Sequence, residues 1–139
     1  MTEVYDLSSE KEVPVGFANE IALSASYSKE DAIGYLTVDG LMSYSDFNLT
    51  GAVIKTSDFV DCGKLKKSIK LAFWFEFLLR MLYNGKKEYV IPKMGYKHGL
   101  RRPDSLMLAY QDMPKDEAQK WFNLAKQEYF FKNDREKTI

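Results

Sequence analysis

Glu76 and Arg80 stand four residues apart with the acid first, and after Lys70 they are the only charges in the apolar stretch 68–83. That order is the favourable one for an ion pair one turn apart on a helix. A carboxylate in such surroundings has two readings: a general base whose pKa is raised by burial, or the salt-bridge partner of Arg80, which needs no substrate to explain it. A second group, Lys97, His98, Arg101 and Arg102, lies in a run containing Gly95 and Gly99. Clustered cations attract phosphates, whereas a lone histidine on a polar loop is equally well explained as a solvated side chain. Cys62 is the only cysteine and His98 the only histidine. An internal disulfide is thereby excluded, a classical zinc site is disfavoured, and Cys62 reads as a small buried or half-buried thiol.

The element that must position Glu76 is the stretch Ser68 to Tyr83, apolar nearly all round and free of Gly and Pro until Gly85. Its length suits a buried helix better than a strand. Asn84-Gly85 is a normal helix stop, and Lys86 and Lys87 are placed to offset the negative end of its dipole. Glu88 to Ile91 reads as a strand ended or edged by Pro92, and 93–105 as the loop that carries the second cationic group. Pro114 suits the first turn of an amphipathic helix over 114–137, with Ala118, Trp121, Phe122, Ala125 and Tyr129 on one face and the residues from Lys132 onward fraying. Mixed charge on its polar face favours docking on the domain over a membrane surface.

Earlier in the chain the signals are shorter. Residues 1–18 read as an irregular or edge segment, interrupted by Pro14 and Gly16, and Glu20 to Tyr27 as a strand, with a helix as the alternative. Asp39-Gly40 between Gly34–Val38 and Leu41–Tyr44 predicts a hairpin with a type I′ turn. Gly51 to Lys55 reads as a short buried strand, followed by one helical turn from Thr56 that ends at Gly63. Together these elements predict an α+β fold in a single domain, 1–139, of short strands around one buried central helix with a C-terminal amphipathic helix.

The net charge is zero, yet residues 1–61 hold 3 basic and 11 acidic side chains, and residues 62–110 hold 11 and 3. The imbalance is either internal complementarity or an anion site in the basic middle segment. A zero net charge argues against nucleic-acid binding. The longest apolar run, Leu71 to Phe75, is far short of the roughly 20 residues of a spanning helix, and the acidic start lacks a basic leader region, so a cytoplasmic protein with no integral membrane segment is expected.

The succession Gly51–Lys55, a short turn to Gly63, Phe75-Glu76-Phe77-Leu78-Leu79-Arg80, Asn84-Gly85-Lys86, Tyr89-Val90-Ile91-Pro92, Tyr96, and Arg102 to Ser105 resembles the second half of a family-two, GT-A-type glycosyltransferase of the Bacteroidetes kind. The likeness covers about residues 48–110, and the tail around Trp121 to Phe131 is compatible with it. It implies transfer of a sugar from a nucleotide-sugar donor to an acceptor hydroxyl. Such chemistry needs a carboxylate to take the hydroxyl proton and positive charge on the leaving diphosphate. The family's acidic pair falls at Phe73-Trp74, which leaves Glu76, on its second acidic position, as the candidate catalytic base. Lys97, His98, Arg101 and Arg102 become the candidate diphosphate site, and His98 a candidate ligand of the divalent metal, Mn²⁺ or Mg²⁺, that such enzymes use. The first 47 residues contain no Asp-x-Asp and no strand with a Gly-rich turn. The resemblance therefore implies a C-terminal portion whose partner is its own donor-binding half, and which should not turn over a nucleotide sugar alone. The alternative from another class is a non-catalytic α+β binding or interaction module.

Overall fold

The computed structural model describes residues 2–6, 13–18, 34–43, 52–90, 96–100 and 113–134, and in the strands only the backbone path. The expected strand at Glu20 to Tyr27 lies outside them. The chain divides into two compact units, Met1–Gly34 with Val90–Pro114, and Tyr35–Tyr89 with Lys115–Ile139. Among the described residues the first is a sheet unit and the second is helical.

The sheet unit holds β1 (Thr2–Asp6), β2 (Val13–Ala18) and β3 (Tyr96–Leu100) in the order β2-β1-β3. Within the expected irregular or edge segment 1–18, the described residues form a strand pair with β2 on the outside, β1 running antiparallel to β2 from Thr2 opposite Ala18 to Asp6 opposite Val13. The register shifts between Val4 and Tyr5, leaving Val15 as the extra residue of a bulge beside Pro14. Pro14 sits in an outer strand of the three, where a missing N–H is tolerated. β3 runs parallel to β1, with Thr2 opposite Tyr96 and Asp6 opposite Leu100. The expected loop 93–105 therefore contains a strand, because β1 offers a free edge to pair with. A parallel pair needs a long crossover, and the segment Tyr35–Tyr89 lies within it.

The helical unit begins with α1 (Val38–Ser43), which replaces the expected hairpin. Thr37 Oγ1 accepts a hydrogen bond from the Gly40 amide at 3.1 Å, an N-cap bond, and the Leu41 amide donates to the Thr37 carbonyl at 3.0 Å. Leu41 is fully buried, so capping and burial together outweigh the turn preference of Asp39-Gly40. Lys126 Nζ donates to the Met42 carbonyl at 3.0 Å at the other end of α1. Residues 52–55 are not a buried strand either: Val53 is fully exposed, and Ile54 packs with Phe59 against a cluster of Cys62, Phe77 and Met81. Cys62 is buried, as its residue type suggests, and burial pushes its thiol pKa up.

The turn from Thr56 forms α2 (Thr56–Asp61), and the apolar stretch forms α3 (Phe73–Tyr83). Both close with the same two bonds. After α2 the Gly63 amide donates to the Val60 carbonyl and the Lys64 amide to the Phe59 carbonyl, and after α3 the Gly85 amide donates to the Leu82 carbonyl and the Lys86 amide to the Met81 carbonyl. Gly63 and Gly85 take the left-handed φ values of 86° and 75° that this closure needs. Helix α3 is buried from Phe75 through Met81, as its unbroken apolar character requires, with each large apolar side chain contributing about 2 kcal/mol. It starts at Phe73 and not Ser68, because the Lys67 and Ser68 amides donate to the Asp134 carboxylate at 3.1 and 3.3 Å and hold that segment in a turn.

The last helix, α4 (Lys115–Glu128), follows Pro114 as predicted but stops well before 137. Phe122 meets Trp74 and Phe75 at ring distances of 6.2 and 5.5 Å, and Tyr129 meets Tyr83 at 5.7 Å. These contacts advance together along both elements, so α3 and α4 run in roughly the same direction. Residues 132–134 do not fray: the Lys132 carbonyl accepts from Arg80 and Asp134 caps the 67–68 turn. Among the described residues no helix is long and apolar enough to cross a membrane.

The two closing glycines differ in their surroundings. A Cβ on Gly63 would collide with the Lys132 carbonyl and lie 2.8 Å from Lys132 Cγ, whereas one on Gly85 meets nothing within 4 Å. Gly85→Ala should cost about 1–2 kcal/mol of unfolding free energy from backbone conformation alone. Gly63→Ala should cost clearly more; urea denaturation of the two variants side by side measures the difference.

Candidate functional site

One helical turn separates Glu76 from Arg80 on α3, and both are completely buried. Glu76 Oε1 accepts from Arg80 Nε at 2.8 Å and Oε2 from Arg80 Nη2 at 2.9 Å, a bidentate pair. Lys66, itself only 4% exposed, brings its Nζ to 2.9 Å from Glu76 Oε1 and donates to the Glu128 carbonyl at 2.5 Å. The i, i+4 spacing reveals the first pair; Lys66 gives no sequence signal, because it is one of four lysines between 64 and 70.

The remaining donors of Arg80 reach backbone. Nη1 donates to the Cys62 and Lys132 carbonyls, the latter at 3.1 Å, and Nη2 to the Lys64 carbonyl at 2.7 Å. With the two bonds to Glu76 this engages all five guanidinium N–H groups. The residues that follow α2 make the arrangement available. Gly63 and Lys64 both take left-handed φ, 86° and 61°, and so turn the carbonyls on either side of Gly63 towards α3. Two cations face one carboxylate here, and four carbonyl oxygens disperse the excess positive charge. A buried network of this kind, with every N–H of Arg80 engaged, fixes the relative positions of α2, α3 and the segment after α4.

Chemically, Glu76 is an anchor in this arrangement. Both oxygens are engaged and neither faces solvent, so an acceptor hydroxyl has no approach to them. Phe73 and Trp74, at the positions where the resemblance expects an acidic pair, form the opening turn of α3, with Phe73 38% exposed and Trp74 half-buried.

The second predicted group lies in the sheet unit. Lys97 and His98 belong to β3, opposite Glu3 and Val4 of β1, while Arg101 and Arg102 lie outside the described residues. Lys97 and His98 are therefore strand residues and not, as predicted, loop residues. The positions aligned with His98 across the sheet are Val4 and Gly16, neither able to ligate a metal through a side chain. No group of three or more His, Cys, Asp or Glu among the described residues stands close enough to hold a metal ion. On the surface, Lys86 pairs with Asp58 at 2.6 Å, which holds the Asp58 carboxyl below its usual range, so Lys86 binds α2 and does not simply complement the α3 dipole.

Sequence reasoning also passed over Glu88, taken as the first residue of a strand. It lies beside an isolated antiparallel bridge between Tyr35 and Tyr89, and burial pushes its carboxyl pKa up to about 8. Its signal is an acid next to Tyr89, on the side that alternation gives to Leu36, and it is visible only once the partner segment is known. Comparison with family models, with curated proteins and with solved structures gives no match in any of the three.

Removing Glu76 strands Arg80 and Lys66 in the core, and removing Arg80 leaves Glu76 with Lys66 alone and three backbone carbonyls without their donor. Arg80→Met and Glu76→Gln should each lower the unfolding free energy by about 3–5 kcal/mol. The double variant Glu76→Leu/Arg80→Met should lose less than the sum of Glu76→Leu and Arg80→Met, and a double-mutant cycle in urea reads the coupling.

Proposed function

We propose that this chain is the C-terminal, acceptor-side portion of a family-two, GT-A-type glycosyltransferase, an α+β scaffold that joins a donor-binding half to transfer a sugar from a nucleotide-sugar to an acceptor hydroxyl. The observation that carries this reading is the placement of α3. The positions at which the resemblance expects the acidic pair, Phe73 and Trp74, form the helix's opening turn, and Glu76 is locked to Arg80 and Lys66 behind them. The buried helix thus supports the scaffold of such an enzyme, with Glu76 as a residue that positions α3. The proton acceptor then comes from elsewhere in the assembled enzyme, and the cations Lys97, His98, Arg101 and Arg102 serve the leaving diphosphate by charge.

The saturation of Glu76 favours a second reading, a non-catalytic binding or interaction module that keeps the scaffold without the chemistry. Isothermal titration of UDP and UDP-sugars with Mn²⁺ or Mg²⁺ separates the two. The glycosyltransferase reading expects a binding heat that disappears in Arg102→Ala or His98→Ala, with no turnover by the chain alone. No heat with any nucleotide overturns a donor site on this chain and leaves the interaction module.

A further inference from the structure

Among the described residues, the two carboxyl oxygens of Glu88 are the buried side-chain polar atoms left without a hydrogen-bond partner. Their position follows from the bridge beside them. The Leu36 amide donates to the Glu88 carbonyl at 2.9 Å and the Val90 amide to the Gly34 carbonyl at 2.6 Å, on either side of the Tyr35–Tyr89 pair. The two tyrosine rings meet edge to face, 5.0 Å apart, and are about half exposed. Successive residues of an extended segment face opposite ways, so Leu36 and Glu88 lie on the other side from the rings. Leu36 is 7% exposed, and the same side takes the Glu88 carboxyl out of water.

We propose that Glu88 is a proton-controlled latch on this bridge: its neutral carboxyl group lets the two segments pair, and its ionisation unpairs them. A carboxylate stripped of water and given no donor is strongly disfavoured, whereas the neutral acid costs far less to bury. Among the described residues no neighbouring charge offsets this. Lys86 is held by Asp58, Lys87 and Asp39 of α1 are exposed, and Lys126 of α4 is bound to the Met42 carbonyl. Lys66, Glu76 and Arg80 form their own closed cluster, and the Tyr35 and Tyr89 hydroxyls belong to the opposite face.

Burial alone raises the Glu88 pKa from its ordinary 4.5 to about 8 in the closed form. The open form therefore loses its proton first. The latch holds fully below about 4.5, weakens as the pH rises, and is spent once the pH passes about 8. Over that window the open-to-closed ratio should grow by up to about tenfold per pH unit, one proton being linked to opening.

Amide hydrogen exchange of Leu36, followed by NMR between pH 5 and 8 and corrected for base catalysis, tests this. The protection factor should fall by up to about tenfold per pH unit, and Glu88→Gln should hold it constant. A constant protection factor in the unmodified protein, or an equal fall in Glu88→Gln, overturns the latch. An equal fall at the Leu79 amide of α3 also overturns it, because the whole helical unit is then opening. Should Glu88→Gln fail to fold, the carboxyl ¹³C shift of Glu88 in the unmodified protein decides: a midpoint clearly raised above 4.5 supports the latch, and one near 4.5 overturns it.

Discussion

A guanidinium group buried with no access to water must find an acceptor for each of its five N–H groups, and that requirement organises the helical unit. Arg80 sits on an apolar helix, fully buried, and its plane fixes the directions in which acceptors must lie. Glu76 supplies two from the same helix, and the backbone around Cys62, Lys64 and Lys132 supplies the others. Those three carbonyls come from two distant parts of the chain, so satisfying one side chain sets the path of two non-helical segments. Leu and Phe burial gives α3 its stability, but non-directional contacts of that kind would tolerate several arrangements of its neighbours. The guanidinium fork tolerates one.

The same constraint explains details that local preference does not. Lys64 accepts a left-handed backbone, uncommon outside Gly, Asn and Asp, in the turn that presents its carbonyl to Arg80. Lys66 is drawn into the core because Glu76 Oε1 can accept a second donor and the end of α4 offers a carbonyl beside it. Asp134, just beyond the Lys132 carbonyl, reaches the 67–68 turn and fixes where α3 begins. A surface charge becomes a core feature once its neighbours need it.

What the sequence made legible was whatever leaves a local mark. The buried stretch around Phe75 to Met81 is an unbroken apolar run, its end is written in Asn84-Gly85, the stop after α2 in Gly63, and the Glu76–Arg80 pair in a four-residue spacing. What stayed hidden depends on partners far along the chain. The start of α3 is set by Asp134, 66 residues beyond Ser68. β3 exists because β1, near the start of the chain, gives Tyr96–Leu100 a ladder that Gly95 before it and Gly99 within it do not advertise. Asp39-Gly40 carries a real turn signal, overruled by a Thr37 cap and the burial of Leu41. For the candidate site, the pair itself could be read and its saturation could not, since four of the acceptors are backbone carbonyls without identity in the sequence.

The helical unit is interrupted in sequence: Val90–Pro114 belongs to the other unit, and the chain returns only with Lys115. On a ribosome, α3 is therefore made before the Glu128 and Lys132 carbonyls that its polar network needs. A helix this apolar, waiting for its last acceptors and for the ring of Phe122, is an exposed sticky surface during synthesis. The order of translation leaves α4 as the piece that both covers this core and completes its polar wiring.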